Sequence, residues 1–219
     1  MKPKIKLDTD QQQALLDSLA MISLAFWGPT PNSCEWILDD QYLKSLEILS
    51  DVTDESFQQE IRALRSYLKQ FNSSPDLQEL LDETYIRLFV SHKEGITAPL
   101  YHSCYGLEGD KFGEPLMGEP ALKMTEFLSE VGMNLDESIT EPPDHLAIEL
   151  EYLYYRLQQW QSTAMKDHLN KAVSFEKTFL RPWVTTFDRR LSAEKNSSYY
   201  SILISVLLGI LDLVGQLAE

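Results

Sequence analysis

The sequence predicts an all-α fold, and three observations support that prediction. Apolar residues recur every three or four positions over long stretches, as in helices with one buried face. The 219 residues include only 9 glycines, fewer turn residues than a β-rich chain normally has. No segment alternates apolar and polar residues in the manner of a half-buried strand. With 43% hydrophobic residues, the chain is apolar enough to bury a core.

Cap residues place the first two helices. Asp8, with Gln11 as its capping-box partner, is expected to start a helix from about Asp10 to Trp27, which Gly28-Pro29 ends. Ser33 is expected to cap a second helix. The residues that this second helix should turn inward are Trp36, Ile37, Tyr42, Leu43, Leu46 and Leu49.

The next two helices have clear helical stripes. Asp54 opens the third, whose apolar residues fall at steps of four, three, four and three: Phe57, Ile61, Leu64, Leu68 and Phe71. Residues 72–75 break this helix, and Pro75 then fits the first turn of a fourth helix, where a missing N–H costs nothing. The fourth helix is lined by Leu77, Leu80, Leu81, Thr84, Tyr85, Leu88 and Phe89.

The helical pattern is lost between Ser91 and Glu119, which predicts a long loop with one short helical turn near His102–Tyr105. Four apolar or aromatic residues indicate that this loop packs on the core: Leu100, Tyr101, Tyr105 and Phe112.

The second half of the chain also reads as helices. A fifth helix spans Pro120–Val131, and a connector follows up to Pro143. Asp144 is expected to cap a long helix that reaches about Lys166. Another helical stretch covers Leu169–Leu191, where Pro182 marks a kink or break. The last helix follows residues 196–198.

The last helix is apolar enough to raise the question of a membrane span. The segment from Tyr199 to Ala218 is about long enough to cross a bilayer. It contains Asp212, and no Lys or Arg follows to anchor its far end. A buried helix in the core is therefore the preferred interpretation, without stable membrane insertion.

The charge balance favours a basic partner. With 34 acidic and 19 basic residues, the chain has a net charge of -15, which repels nucleic acid and anionic membrane surfaces. The same field attracts basic peptides, although high acidity also serves solubility alone.

No motif predicts a metal or a cofactor. Cys34 and Cys104 lie far apart in sequence and match no zinc or iron–sulfur spacing. His145 and Glu149 share one helix face, but the paired Glu-x-x-His motifs of helical metal sites do not occur. The N-terminus has lysines but no apolar segment after them, so it does not resemble a secretory signal, and a cytoplasmic location is expected.

Two segments are candidates for function. In Glu141-Pro142-Pro143-Asp144-His145, the prolines force an extended entry into a helix. This segment fits either an ordinary rigid helix start or a binding site. In the second segment, Tyr85 and Leu88 end one helix and Tyr101 and Tyr105 lie in the following loop. These residues fit either a peptide groove or simple packing of the loop on the core.

Four sequence blocks occur in the order seen in a known family. Tyr85–Phe89 has the pattern aromatic-x-x-Leu-Phe, and Pro99–Tyr105 has Pro-x-x-x-Ser-x-Tyr. Glu141–Leu150 is a complete Glu-Pro-x-Asp-His-Leu-x-x-Glu-Leu block, and Phe175–Trp183 has Phe-x-x-x-Phe-Leu-x-x-Trp. From about residue 10 to its end, the chain thereby resembles the TorD/DmsD/NarJ-type cytoplasmic chaperones of molybdenum reductases.

The resemblance implies a single TorD-like helical domain of two lobes. The N-terminal lobe would span about 8–132, a connector with the hinge about 133–145, and the C-terminal lobe about 146–219. Some members of the family exchange lobes across this hinge to form dimers. The resemblance implies no enzymatic activity and no cofactor.

The resemblance also implies a partner and a site. The partner would be the catalytic subunit of a molybdenum reductase, whose twin-arginine signal peptide or apoprotein the chaperone binds during maturation. Asp144, with Glu141 and Glu149, is expected to pair with arginine side chains. The full predicted peptide-binding set is Tyr85, Leu88, Tyr101, Tyr105, Glu141, Asp144, His145 and Glu149. The alternatives are a helical protein that binds or hydrolyses guanine nucleotides and a structural helical adaptor.

Overall fold

The computed structural model describes residues 4–39, 41–91, 96–105, 117–194 and 198–217. The regular structure of these residues is helical apart from two isolated bridges, so the predicted all-α fold is confirmed. The α-helices are α1 (Thr9–Trp27), α2 (Pro31–Ile37), α3 (Lys44–Leu49), α4 (Glu55–Leu68), α5 (Ser74–Tyr85), α6 (Glu119–Glu130), α7 (Leu146–Thr163), α8 (Lys166–Phe175), α9 (Arg181–Ser192) and α10 (Ser198–Gln216).

The start of α1 is as predicted, whereas the second predicted helix is wrong in three respects. Asp8 and Gln11 form the capping box of α1. Thr30, not Ser33, caps α2, and Ser33 is its capping-box partner. The predicted second helix is divided into α2 and α3, and Trp36 is 40% exposed rather than buried.

The stripe of α4 and the first turn of α5 confirm the sequence pattern. Asp54 caps α4, and the buried residues of this helix are Phe57, Ile61, Leu64 and Leu68. Ser73 caps α5, and Pro75 lies in its first turn. Leu80, predicted to line the core, is 38% exposed. A π-helical turn at Ile86–Val90 continues α5 and turns Leu88 and Phe89 into the core.

The C-terminal half differs from prediction mainly at helix ends. The stretch predicted at Leu169–Leu191 is divided by a π-helical turn, Glu176–Leu180, into α8 and α9. Pro182 lies in the first turn of α9, where its missing N–H breaks no helical bond.

A 3₁₀ turn at His102–Cys104 confirms the short turn predicted in the long loop. Phe112, also predicted to pack in this loop, lies outside the described residues.

One hydrophobic core joins the two halves of the chain. Helix α1 packs against α7 and α3, and α10 packs against α4 and α9. Buried residues from all of these helices belong to the same cluster. The predicted lobes therefore share a core in this structure, and their boundaries at about 132 and 146 stay a prediction.

Helix α10 is a helix of the core. Tyr199–Gln216 is long and apolar enough to cross a membrane by length and composition, but its side chains pack into the bundle, with Leu203, Leu207 and Leu211 fully buried. Asp212 accepts a hydrogen bond at 2.6 Å from Nη1 of Arg181. This ion pair gives the carboxylate a partner within the protein.

Candidate functional site

The bend at Glu141–His145 is tied to the loop that precedes the 3₁₀ turn. The N–H of His102 donates to the carbonyl of Asp144 at 3.0 Å, and the N–H of Leu146 donates to the carbonyl of Leu100 at 2.8 Å. Tyr101 and His145 thereby form an antiparallel bridge. Two of the predicted segments, remote in sequence, thus lie side by side, as a shared site requires.

Asp144 holds this loop rather than capping α7. Its Oδ2 accepts hydrogen bonds from the N–H of Ser103 at 2.8 Å and from the Ser103 hydroxyl. Its side chain is fully buried, and Oδ1 has no hydrogen-bond partner within the described part of the chain. The predicted pairing of Asp144 with an arginine from solvent is therefore not possible in this conformation. The prediction of Asp144 as the helix cap was also wrong.

His145 caps α7. Its Nδ1 accepts from the N–H of Ala147 at 3.2 Å, which leaves Nε2 to carry the proton of the neutral ring. The ring stacks on Trp27 at 5.0 Å between centroids, and Tyr101 meets its edge at 5.4 Å. Burial lowers the pKa of His145 to about 4, although the nearby carboxylates of Glu141 and Asp144 act against this shift.

Glu149 is fully buried in a polar network inside the core. Its Oε2 accepts from Nε1 of Trp183 at 2.8 Å, and its Oε1 lies 3.2 Å from Nδ1 of His102. Burial raises the pKa of this carboxyl well above its usual value and so favours its neutral form. The predicted pairing of Glu149 with a peptide arginine is thus also excluded in this conformation. Instead, Glu149 joins α7 to α9 and to the 3₁₀ turn.

Acidification from pH 7 to pH 5 is expected to destabilise the fold through its buried histidines. Burial lowers the pKa of both His102 and His145 to about 4, so below about pH 6.5 the unfolded chain takes up protons that the folded chain does not. The stability that each histidine contributes is complete above pH 6.5 and is lost towards pH 4. Between pH 7 and pH 5 each should lose about 2 kcal/mol of unfolding free energy.

Urea unfolding of the wild type and of His145→Gln at both pH values measures this loss. The variant should lose about 2 kcal/mol less than the wild type on acidification. The raised pKa of Glu149 acts in the opposite direction, but it affects both proteins and cancels in the comparison. An equal loss in both proteins would contradict the expected role of His145.

Leu88 and Tyr105 are core residues. Leu88 is fully buried, and Tyr105 is 7% exposed. The Tyr105 hydroxyl donates to the carbonyl of Pro99 at 2.8 Å, and the guanidinium of Arg190 lies 4.4 Å above its ring. The hydrogen bond closes the loop on itself, and the Arg190 contact joins it to α9. The expectation that these two residues cover a peptide was wrong for this conformation.

The remaining three predicted residues, Tyr85, Tyr101 and Glu141, reach the surface. The Tyr85 hydroxyl donates to the carbonyl of Phe26 at 3.1 Å, and burial with the nearby Glu141 carboxylate raises the pKa of Tyr85 to about 12. The Tyr101 hydroxyl donates to Oε2 of Glu141. All three side chains are half-buried, so each keeps one side open to solvent.

Two residues that no motif predicted complete this surface. Trp27, half-buried at the end of α1, donates from Nε1 to Oε1 of Glu151 at 2.7 Å, and Glu151 is exposed on α7. We call Trp27, Tyr85, Tyr101, Glu141 and Glu151 the aromatic shelf. In the sequence, Trp27 is marked only by its position directly before Gly28. In the structure, Gly28 has a φ of 112° and ends α1.

The aromatic shelf is separate from the recess that the structure contains elsewhere. A recess of about 590 Å³ lies between α4, α9 and α10, and its lining includes Phe57, Glu60, Arg181 and Asp212. None of the eight predicted site residues lines it. The predicted site therefore takes no part in this recess.

The described residues contain no group of three or more His, Cys, Asp or Glu side chains placed to hold a metal ion. Cys34 is buried, Cys104 is half-buried, and both are free thiols.

Comparisons with known proteins agree on one family. A family model described as nitrate reductase delta subunit matches residues 51–189. The chaperone protein TorD of Vibrio cholerae serotype O1 is 27% identical over 168 residues, which are 74% of each chain. TorD of Shewanella piezotolerans is 28% identical over 156 residues, which are 70% of this chain and 68% of the relative. Both relatives are named as chaperone proteins.

A solved structure is similar along almost the whole chain. It is a candidate redox enzyme maturation protein from Archaeoglobus fulgidus, 20% identical, and the match covers 95% of this chain and 99% of that one with a TM-score of 0.46. From the match to the family model and the TorD relatives, this chain belongs to the nitrate reductase delta subunit family, the TorD/NarJ type of chaperone for the maturation of redox enzymes.

Proposed function

We propose that this chaperone binds the twin-arginine signal peptide of a molybdopterin-dependent oxidoreductase, and its apoprotein, in the cytoplasm. Binding shields the client until its cofactor has been inserted and before it is exported or assembled. The client supplies a basic segment followed by an apolar one, and the aromatic shelf offers an acceptor for each. Its carboxylates suit arginine, and its rings suit apolar side chains.

The observation that supports this proposal most directly is how few contacts the Glu141 carboxylate makes. Its carboxylate accepts one hydrogen bond, from Tyr101, and it forms no ion pair within the described part of the chain. A carboxylate has room for about four hydrogen bonds, so most of its capacity is open to a ligand. The net charge of -15 attracts a basic leader towards it.

The buried members of the predicted set have a supporting role in this proposal. Asp144 fixes the 3₁₀ turn, His145 supports Trp27 and Tyr101 from below, and Glu149 fixes the turn to α9. Side chains held in this way keep the shelf in one geometry, which lowers the entropy lost on binding. Dimerisation by lobe exchange stays a prediction.

Glu141→Gln is expected to weaken binding of a twin-arginine leader peptide about three- to tenfold at low salt, because the substitution removes the charge and keeps the shape. The Tyr101 hydroxyl still finds an acceptor in the amide, so the loop should stay in place. Isothermal titration calorimetry of the peptide into each protein measures the effect.

Glu137→Gln is the matched control, since Glu137 is an exposed carboxylate in the same connector. It removes the same charge from the long-range field and should change the affinity by less than about twofold. Equal affinities of the Glu141→Gln variant and the wild type would exclude Glu141 from the site.

A further inference from the structure

The aromatic shelf has a carboxylate at each end. Tyr101, whose hydroxyl donates to Glu141, meets the edge of His145 at 5.4 Å between ring centroids. His145 stacks on Trp27 at 5.0 Å with an interplanar angle of 18°, and Trp27 donates to Glu151 at 2.7 Å. A continuous row of three rings thus separates two carboxylates, one just before α7 and one on α7.

Both carboxylates keep capacity for a cation. Glu151 accepts a hydrogen bond from Trp27 at Oε1, and the Ser23 hydroxyl, which donates to Ala147, lies 3.5 Å from the same oxygen. Its other oxygen has no hydrogen-bond partner, and neither Glu151 nor Glu141 forms an ion pair with any described residue. The groups that donate to these two carboxylates, the Trp27 indole and the Tyr101 hydroxyl, are neutral, so they leave the place of a cation open to a ligand.

The position of Glu151 is set by the packing of α1 on α7. The Ser23 hydroxyl donates to the carbonyl of Ala147 at 3.1 Å, which fixes the two helices one turn before Glu151. Trp27 lies one turn after Ser23 on α1 and reaches Glu151 across the same helix pair. The second carboxylate is therefore positioned by contacts between α1 and α7.

We infer that the shelf reads two cationic side chains separately, one at Glu141 and one at Glu151, with Trp27 as the ring on which the second guanidinium stacks. This inference rests on the proposed function and names the residues that distinguish a pair of arginines from a single one. Neighbouring residues have Cα atoms about 3.8 Å apart and arginine side chains are long, so two adjacent guanidinium groups reach both ends of a row of three rings.

The test uses four leader peptides that carry Arg-Arg, Lys-Arg, Arg-Lys or Lys-Lys at the paired position. Each is titrated calorimetrically into the wild type, Glu141→Gln and Glu151→Gln. The wild type should lose about threefold or more in affinity for each arginine replaced, since lysine cannot bind a carboxylate in the bidentate manner. Glu151→Gln should become insensitive to replacement of one arginine and keep its sensitivity to the other. Glu141→Gln should show the reverse.

Asp17→Asn is the matched control for Glu151→Gln. Asp17 is an exposed carboxylate on α1 that accepts a hydrogen bond from Nε2 of Gln13 at 2.8 Å, at the other end of the α1–α7 pair. The Asp17→Asn variant should bind all four peptides as the wild type does. Thermal unfolding of each variant checks that the fold is intact. Glu151→Gln is expected to fold normally, because glutamine still accepts the Trp27 hydrogen bond.

Three results would overturn the inference. Unchanged affinity of Glu151→Gln for the Arg-Arg peptide would remove the second position and leave the proposed function intact. Loss of sensitivity to the same arginine in both variants would show one cation site instead of two. A wild type that binds none of the four peptides would overturn the proposed function itself, and the inference with it.

Discussion

Phe26→Ala should reduce the free energy of unfolding by about 3–5 kcal/mol. Phe26 is fully buried, and its ring lies within 6.2 Å of Phe89, 5.9 Å of Phe187 and 5.9 Å of Tyr200, measured between centroids. These rings come from α1, the π-helical turn after α5, α9 and α10. Removing the central ring leaves a cavity that four elements would have to close together.

Urea denaturation followed by circular dichroism measures this loss. Leu24→Ala is the control, since Leu24 lies on the same helix and is 41% exposed, and it should cost less than about 1 kcal/mol. A loss below about 2 kcal/mol for Phe26→Ala would show that the four elements do not depend on this ring.

The second large effect concerns Glu149, where two substitutions should differ sharply. Glu149→Ala is expected to cost about 3 kcal/mol, because it leaves Nε1 of Trp183 buried without an acceptor and removes the partner of His102. Glu149→Gln should cost less than about 1 kcal/mol at pH 7. The raised pKa favours the neutral carboxyl, whose donor and acceptor an amide reproduces.

The two variants also differ in their dependence on pH. A carboxyl whose pKa is raised in the folded state contributes stability that is complete below its unfolded pKa and is lost as the pH rises. Glu149→Gln lacks this loss, so its stability relative to the wild type should increase between pH 5 and pH 8. Thermal unfolding across this range tests the expectation, and a Glu149→Gln variant as unstable as Glu149→Ala would show that Glu149 is ionised in the folded state.

Local signals in the sequence were sufficient for most of the helices. The capping box at Asp8 and Gln11, the stripe from Phe57 to Leu68 and the first-turn proline at Pro75 each depend on residues within one or two helical turns. The errors concern features that depend on contacts between distant parts of the chain. The break between α2 and α3 and the exposure of Trp36 follow from the elements against which each segment packs.

The same distinction between local signals and long-range packing applies to the candidate site. The motif Glu141–His145 identified a segment that does lie beside Tyr101, but it did not show which side chains reach solvent. Asp144 and Glu149 turned out to be buried, since hydrogen-bond donors from Ser103 and Trp183 offset the cost of burying them. Trp27 and Glu151 could not be predicted, because their meeting depends on how α1 crosses α7.

By itself, the sequence determined the helices of this protein, its acidity and, through four ordered blocks, its family. These features are local or compositional, so neighbouring residues suffice to specify them. Only the tertiary structure decided that Glu141 and Glu151 are the carboxylates of the aromatic shelf, while those of Asp144 and Glu149 are buried. The exposure of a charged side chain is set by the elements that pack over it, and these come from distant parts of the chain.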